Sequence, residues 1–140
     1  MDHDFQMRLH CHYEQPGNTP AGQAVEFMEK GEWHPFILDF GQPGFLIFVY
    51  AMLNCQHMYM RTNAAEHGLI LDSASGSIDV LANSEWELKK VDVLFEAVVQ
   101  SGSPSQDVVD QIIDRMRQCP VSVNLKPVHE GNTLVSFTGK

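Results

Sequence analysis

The side chains best suited to covalent chemistry in this 140-residue sequence are three cysteines, Cys11, Cys55 and Cys119. Cys55 follows a long apolar segment, and Cys119 directly precedes Pro120. Two thiols that meet in space can alternate between a dithiol and a disulfide. The attacking species is the thiolate, so its pKa has to fall below about 8.5. Spacing alone also permits a second interpretation, in which the cysteines are inert core thiols.

Other polar residues form no complete site in the sequence. Because strand side chains alternate, His10 and His12 share one face of a predicted strand and Cys11 lies on the other. Two imidazoles can bind zinc, but a closed site needs more ligands, so we expect no metal. Cys11 is expected to be a packing thiol. No phosphate loop, dinucleotide motif or hydrolase elbow is present, and we expect no cofactor.

Charge and composition exclude several classes of protein. The formal net charge is -9, which disfavours binding to nucleic acid or to an anionic membrane surface. The longest apolar run, Phe45 to Leu53, is shorter than the roughly 20 residues of a membrane span. Residues 1–4 are acidic where a signal peptide would be positive, so we expect a cytoplasmic protein. With 44% hydrophobic residues, residues 1–140 are predicted to form a single domain.

Patterns of hydrophobicity and turn residues give the element order. The sequence predicts strands 5–13, 22–30 and 33–40, a helix over 45–67, strands 69–82 and 89–99, a second helix ending near residue 119, and a final strand over 123–137. The first helix contains neither Pro nor Gly, and Gly68 follows it in the position of a C-cap. The last strand is expected to be interrupted near Pro127 and residues 130–132. Because strands and helices do not alternate regularly, the pattern indicates an α+β fold.

Two features of the helices carry further expectations. Ser103 is the predicted N-cap of the second helix, with Pro104 at its first position and Gln106 completing a capping box. The first half of the long helix, residues 45–53, is apolar on every face, which is typical of a helix surrounded by protein. One small subunit can hardly enclose such a helix, so we expect a homodimer.

Two segments resemble the signatures of the OsmC/Ohr family. Residues 43–55 are similar to its central helix, in which a Pro-containing loop leads into a hydrophobic helix and a cysteine follows. Residues 114–122 are similar to its second signature, a helix that ends at Cys-Pro-Val-Ser or a close variant. The order of elements also agrees, so the resemblance extends over nearly the whole chain.

The resemblance implies a fold and a chemistry. The expected architecture is antiparallel sheets packed around a long buried central helix in an intertwined homodimer, with active sites at the subunit interface. The implied activity is reduction of organic hydroperoxides, with Cys55 as the peroxidatic thiol and Cys119 as the resolving thiol. An external dithiol then reduces the disulfide.

The sequence departs from the family pattern at the groups that activate the thiol. Active members lower the peroxidatic pKa with an arginine that a glutamate near the start of the central helix holds. Residues 44–47 contain no carboxylate, and Arg8 is the only arginine near the first strands. The alternative prediction is therefore a non-enzymatic OsmC-like protein that binds a small hydrophobic ligand at the dimer interface.

Overall fold

The computed structural model describes residues 1–125 and 130–140. Its regular elements are β1 (His3–Glu14), β2 (Thr19–Glu29), β3 (Glu32–Pro35), α1 (Gly44–Glu66), β4 (Ile70–Ala82), β5 (Leu88–Ser101), α2 (Gln106–Arg117), a short 3-10 turn (Ser122–Asn124) and β6 (Glu130–Gly139). This content confirms the predicted α+β class.

All strands form one six-stranded sheet in the order β3-β2-β1-β4-β5-β6. Each neighbouring pair is antiparallel except β5 and β6, which run parallel. The expectation of antiparallel pairing is therefore wrong for the last strand, which runs parallel to its neighbour. The reason is α2, which carries the chain back along the sheet between β5 and β6, as a parallel connection requires.

Both helices pack on one face of this sheet and leave the other face open among the described residues. On β1, Met7, Leu9 and Cys11 are buried on the helix face. Arg8 and His10 lie between them and are exposed on the opposite face, as strand alternation requires. The fold thus places Met7 and Cys11 on the core face of the sheet and Arg8 on its outer face.

Helix α1 has 23 residues and ends where the sequence predicts. Gly68 adopts φ 77, a left-handed conformation that costs glycine little, and the chain turns there into β4. One side of the helix is buried against the sheet. The opposite side is only partly covered within one subunit, since Ile47 is half-buried and Met58 is 45% exposed.

The predicted end of the third strand and the predicted N-cap of the second helix are wrong. The third strand stops at Pro35 instead of residue 40, because Asp39 accepts a hydrogen bond from the Gly41 backbone N–H and makes a turn. The N-cap of α2 is Ser105 instead of Ser103, since Ser105 accepts the Val108 N–H at 3.3 Å.

The last strand also differs from its prediction. Residues 122–124 form a 3-10 turn instead of the predicted strand, and the structure describes β6 over Glu130–Gly139. Residues 130–132 pair with β5 without interruption, contrary to expectation. The other predicted break, at Pro127, lies outside the described residues.

Asn18 ties the first hairpin to the corner between α1 and β4. Its side chain is fully buried, and its amide donates to the carbonyls of Arg61 and Leu69 at 3.1 and 3.0 Å. Its oxygen accepts from the Leu71 backbone N–H and from the side chain of Gln15, both at 2.9 Å. Asn18 therefore satisfies polar groups of three separate segments, and its φ of 52 suits asparagine.

Candidate functional site

The structure brings Cys55 and Cys119 together. Cys55 lies on α1 and is partly buried, while Cys119 lies two residues after α2 and is fully buried. The two thiols are neighbours, close enough for Cys119 to raise the pKa of Cys55, and neither takes part in a disulfide. The packing of α2 against α1 is what closes the distance between two cysteines that are far apart in sequence.

The turn after α2 directs backbone donors at both sulfur atoms. The Val121 backbone lies close enough to the Cys55 sulfur to lower the pKa of this thiol. The Ser122 N–H donates to Cys119 Sγ at 3.3 Å, and Cys119 Sγ donates to Ser122 Oγ at 2.9 Å. Pro120 starts this turn, since it cannot continue the helix. Hydrogen-bond donors of this turn therefore stabilise a negative charge that develops on either sulfur.

The pKa of Cys55 is nevertheless raised, to about 11. Burial is the main cause, because it disfavours the charged thiolate, and the neighbouring Cys119 thiol adds to it. The Val121 N–H acts in the opposite direction but does not compensate. At neutral pH Cys55 is thus a protonated thiol in this chain.

Arg8 does not reach Cys55. Its side chain projects from the outer face of the sheet, where its Nε donates to Glu26 at 2.8 Å. Its guanidinium also stacks over the Trp33 ring at 4.1 Å. Among the described residues, none of the groups that set the pKa of Cys55 is a cation. The first turn of α1 contains no acidic residue, in agreement with the departure seen in the sequence.

The two arginines of α2 that precede Cys119 have other partners. Arg115 Nε donates to Asn63 Oδ1 of α1 at 3.3 Å and so links the two helices. Arg117 lies 4.0 Å from Asp114 on the exposed side of α2.

A chain of buried polar side chains leads away from Cys119, and the sequence analysis did not identify it. Gln56 Nε2 donates to Ser122 Oγ at 3.0 Å, and Thr133 Oγ1 of β6 donates to Gln56 Oε1 at 3.1 Å. Gln56 is 4% exposed and Thr133 5%. A cavity of about 190 Å³ is lined in part by Gln56, Ser122, Thr133 and Arg117. The signal in the sequence was an amide that directly follows a cysteine in the predicted helix.

His57 lies on a different side of α1 and belongs to a separate cluster. Its Nε2 is 2.7 Å from Tyr13 Oη, and its ring stacks on Phe95 at 5.6 Å. Cys11 is buried in the same cluster, where burial raises its pKa. The expectation that Cys11 is a packing thiol agrees with this position, and Cys11 takes no part in the contact between Cys55 and Cys119.

We expect His57 to make the fold sensitive to acid. Burial, with a smaller contribution from Arg61, lowers its pKa from 6.5 to about 4. The unfolded state therefore takes up a proton before the folded state does, so stability falls as pH decreases from 6.5 towards 4. The loss should be about 3 kcal/mol, from about 1.4 kcal/mol for each unit of pKa difference.

Urea unfolding across this pH range measures the effect. His57→Gln keeps a polar partner for Tyr13 but does not titrate, so its stability should change less with pH. Equal pH dependence of the two proteins would contradict this role for His57.

The two histidines of β1 contact each other, and His10 contacts Ser75. His10 Nδ1 is 3.0 Å from Ser75 Oγ, and the rings of His10 and His12 meet edge to face at 4.9 Å. Across residues 1–125 and 130–140, no group of three or more potential ligand side chains is arranged to hold a metal ion.

Neither of the described helices combines the length and the hydrophobicity needed to cross a membrane.

Comparison with known proteins finds similarity at the level of structure. No protein-family model matches the sequence, and no curated protein matches it. An OsmC-like hydroperoxide resistance protein from a Jannaschia species is similar over 94% of this chain and 90% of its own, with 13% identity and a TM-score of 0.58.

Two further solved structures are similar. An OsmC-like protein from Mycoplasma pneumoniae matches over 83% of this chain and 88% of its own, at 10% identity and a TM-score of 0.54. A protein from Psychrobacter arcticus, described as a putative osmotic stress induced and detoxification response protein, matches over 84% and 87%, at 6% identity and a TM-score of 0.53.

Proposed function

Since this chain has the OsmC-like fold, we propose that it is a thiol-dependent hydroperoxide reductase of the OsmC/Ohr type. Cys55 is the peroxidatic residue and Cys119 the resolving residue. The observation that carries the proposal is the proximity of these two thiols, which α1 and the end of α2 bring together. Cys55 is the more accessible of the pair, which suits it to meet the substrate first.

The proposed reaction has two steps on the protein. The Cys55 sulfur attacks the O–O bond of the hydroperoxide, so that an alcohol leaves and Cys55 becomes a sulfenic acid. The Cys119 sulfur then attacks Cys55, a disulfide forms and the sulfenic oxygen leaves as water. An external dithiol reduces the disulfide and restores both thiols.

Hydroperoxide consumption tests the proposal. With cumene hydroperoxide and dithiothreitol, we expect wild type to turn over and Cys55→Ser to lose the protein-dependent rate. Cys119→Ser should form no intramolecular disulfide. Cys11→Ala is the matched control, since Cys11 lies outside the thiol pair, and it should keep the wild-type rate. Equal consumption by wild type and Cys55→Ser would end the proposal.

A homodimer is part of the proposal. The loop after β3 exposes three large apolar residues, Ile37 at 69%, Leu38 at 54% and Phe40 almost completely. The preceding Phe36 stacks on Tyr50 of α1 at 5.1 Å, so this loop continues the partly exposed side of α1. Apolar surface of this kind is typical of a subunit interface. A monomer at micromolar concentration in size-exclusion chromatography with light scattering would overturn the dimer.

The raised pKa of Cys55 favours a second candidate function. An OsmC-like protein with a protonated Cys55, no carboxylate at the start of α1 and Arg8 held on the outer face suits non-enzymatic binding of a small hydrophobic ligand at the dimer interface. Native mass spectrometry of protein purified from cells separates the two functions. A retained apolar ligand together with inert thiols supports binding, whereas turnover without a ligand supports the reductase.

A further inference from the structure

Three hydrogen-bonded side chains beside Cys119, those of Ser122, Gln56 and Thr133, have no role in the two-thiol reaction as described so far. We propose that Gln56 and Thr133 are positioning residues for the resolving step, because they orient the Ser122 hydroxyl so that it donates to Cys119 when this sulfur attacks Cys55. The inference deepens the proposed function and rests on it for its physiological meaning.

The hydrogen bonds of Ser122 define the starting state. Its Oγ accepts from Gln56 Nε2 at 3.0 Å and from the Cys119 thiol at 2.9 Å. A hydroxyl oxygen has two lone pairs, and these two donors occupy both. Thr133 fixes the direction of the Gln56 amide, because its hydroxyl donates to Oε1 and leaves the NH₂ group to face Ser122.

The loss of the Cys119 proton reverses one of these bonds. The sulfur becomes an acceptor, and the Ser122 hydroxyl can then donate to it while Gln56 still donates to the oxygen. The Ser122 backbone N–H already points at the same sulfur at 3.3 Å. Two donors from one residue thus stabilise the attacking thiolate, and hydrogen bonds to a charged group are the stronger kind.

The resolving step balances without a further reagent. The Cys119 thiolate attacks the Cys55 sulfur, the new S–S bond forms and the S–O bond of the sulfenic acid breaks. The departing hydroxide takes up the proton that Cys119 released and leaves as water. The two electrons removed from the thiols were accepted earlier by the hydroperoxide.

The hydrogen bonds of Gln56 and Thr133 lie in a buried part of the protein. Gln56 and Thr133 are nearly inaccessible, so the loss of a hydrogen-bond partner leaves a polar group unpaired in a largely desolvated position. Glutamate at position 56 would keep the Thr133 bond, but its second oxygen would accept the Ser122 hydroxyl and turn it away from Cys119. Gln56→Glu therefore changes the direction of one hydrogen bond at almost constant volume.

Reaction of the Cys11→Ala protein with an aromatic disulfide, dithiobis-nitrobenzoate, measures the reaction at Cys55 and the attack by Cys119 as two separate steps. Reaction with Cys55 releases one coloured thiolate, and attack by Cys119 on that mixed disulfide releases the second. We expect Gln56→Glu and Thr133→Val to slow the second release about tenfold and leave the first unchanged. Thr133→Ser, which keeps the hydroxyl, should restore the second rate, and Ser122→Ala should slow it.

Each result decides the inference. A second release at the wild-type rate in both Gln56→Glu and Thr133→Val would overturn it, and so would equal slowing of both releases, which indicates general structural damage. Hydroperoxide consumption by wild type, measured in parallel, tests the proposed function separately. If wild type consumes no hydroperoxide but the second release responds as expected, the proposed function fails and the positioning role stands.

Discussion

Alkylation of Cys55 by iodoacetamide should become about a thousandfold faster between about pH 7 and about pH 10. The reason is that only the thiolate reacts, and its fraction rises about tenfold with each pH unit below the pKa. Burial beside the Cys119 thiol raises the pKa of Cys55 to about 11, so the increase should continue over the whole range. Initial rates by mass spectrometry, assigned to the Cys55 peptide, measure it.

Glutathione in the same buffers is the control, because an ordinary thiol reaches its maximal rate near the upper end of this range. A Cys55 rate that levels off below about pH 8 would contradict the raised pKa of Cys55. The same profile measured for hydroperoxide consumption shows whether the chemical step follows the thiolate fraction. Parallel profiles are expected if Cys55 is the peroxidatic residue.

Replacement of Asn18 by alanine should destabilise the fold by about 4 kcal/mol. The change removes four hydrogen bonds from a fully buried site and leaves the Leu71 N–H and the carbonyls of Arg61 and Leu69 without this partner. It also places alanine at φ 52, where a Cβ atom costs about 1 kcal/mol. Urea unfolding followed by tryptophan fluorescence gives the change in free energy of unfolding.

Asn18→Gly is the matched variant, because glycine adopts this φ without strain. It should lose the same hydrogen bonds and yet be about 1 kcal/mol more stable than Asn18→Ala. A cost below about 1 kcal/mol for Asn18→Ala would mean that the hydrogen bonds around Asn18 do not hold the hairpin to the α1–β4 corner.

Local patterns in the sequence predicted the elements that depend on local chemistry. Helix α1 was predictable because a segment without Pro or Gly, apolar in its first half, ends at Gly68, where the left-handed turn needs glycine. The orientation of Arg8 also follows from its alternation with Met7 and Leu9 on β1, although the sequence analysis left it open. Both features depend on neighbouring residues alone.

Features that depend on distant segments were not predictable. The parallel pairing of β6 arises from the path of α2 across the sheet, which no pattern within residues 123–137 encodes. Gln56 and Thr133 meet only because α1 and β6 pack together. The contact between Cys55 and Cys119 was expected from family resemblance, whereas spacing alone left core thiols as an alternative.

The position of the thiol pair has a mechanical consequence for the oxidised chain. Between α1 and the end of α2 lie β4 and β5, the two longest strands, so a bond between Cys55 and Cys119 would enclose them in a covalent ring. In the chain-entropy account, closing a ring of this size removes about 4 kcal/mol of unfolded-state freedom. The disulfide form, before a reductant restores the two thiols, would thus unfold at a higher temperature than the dithiol form.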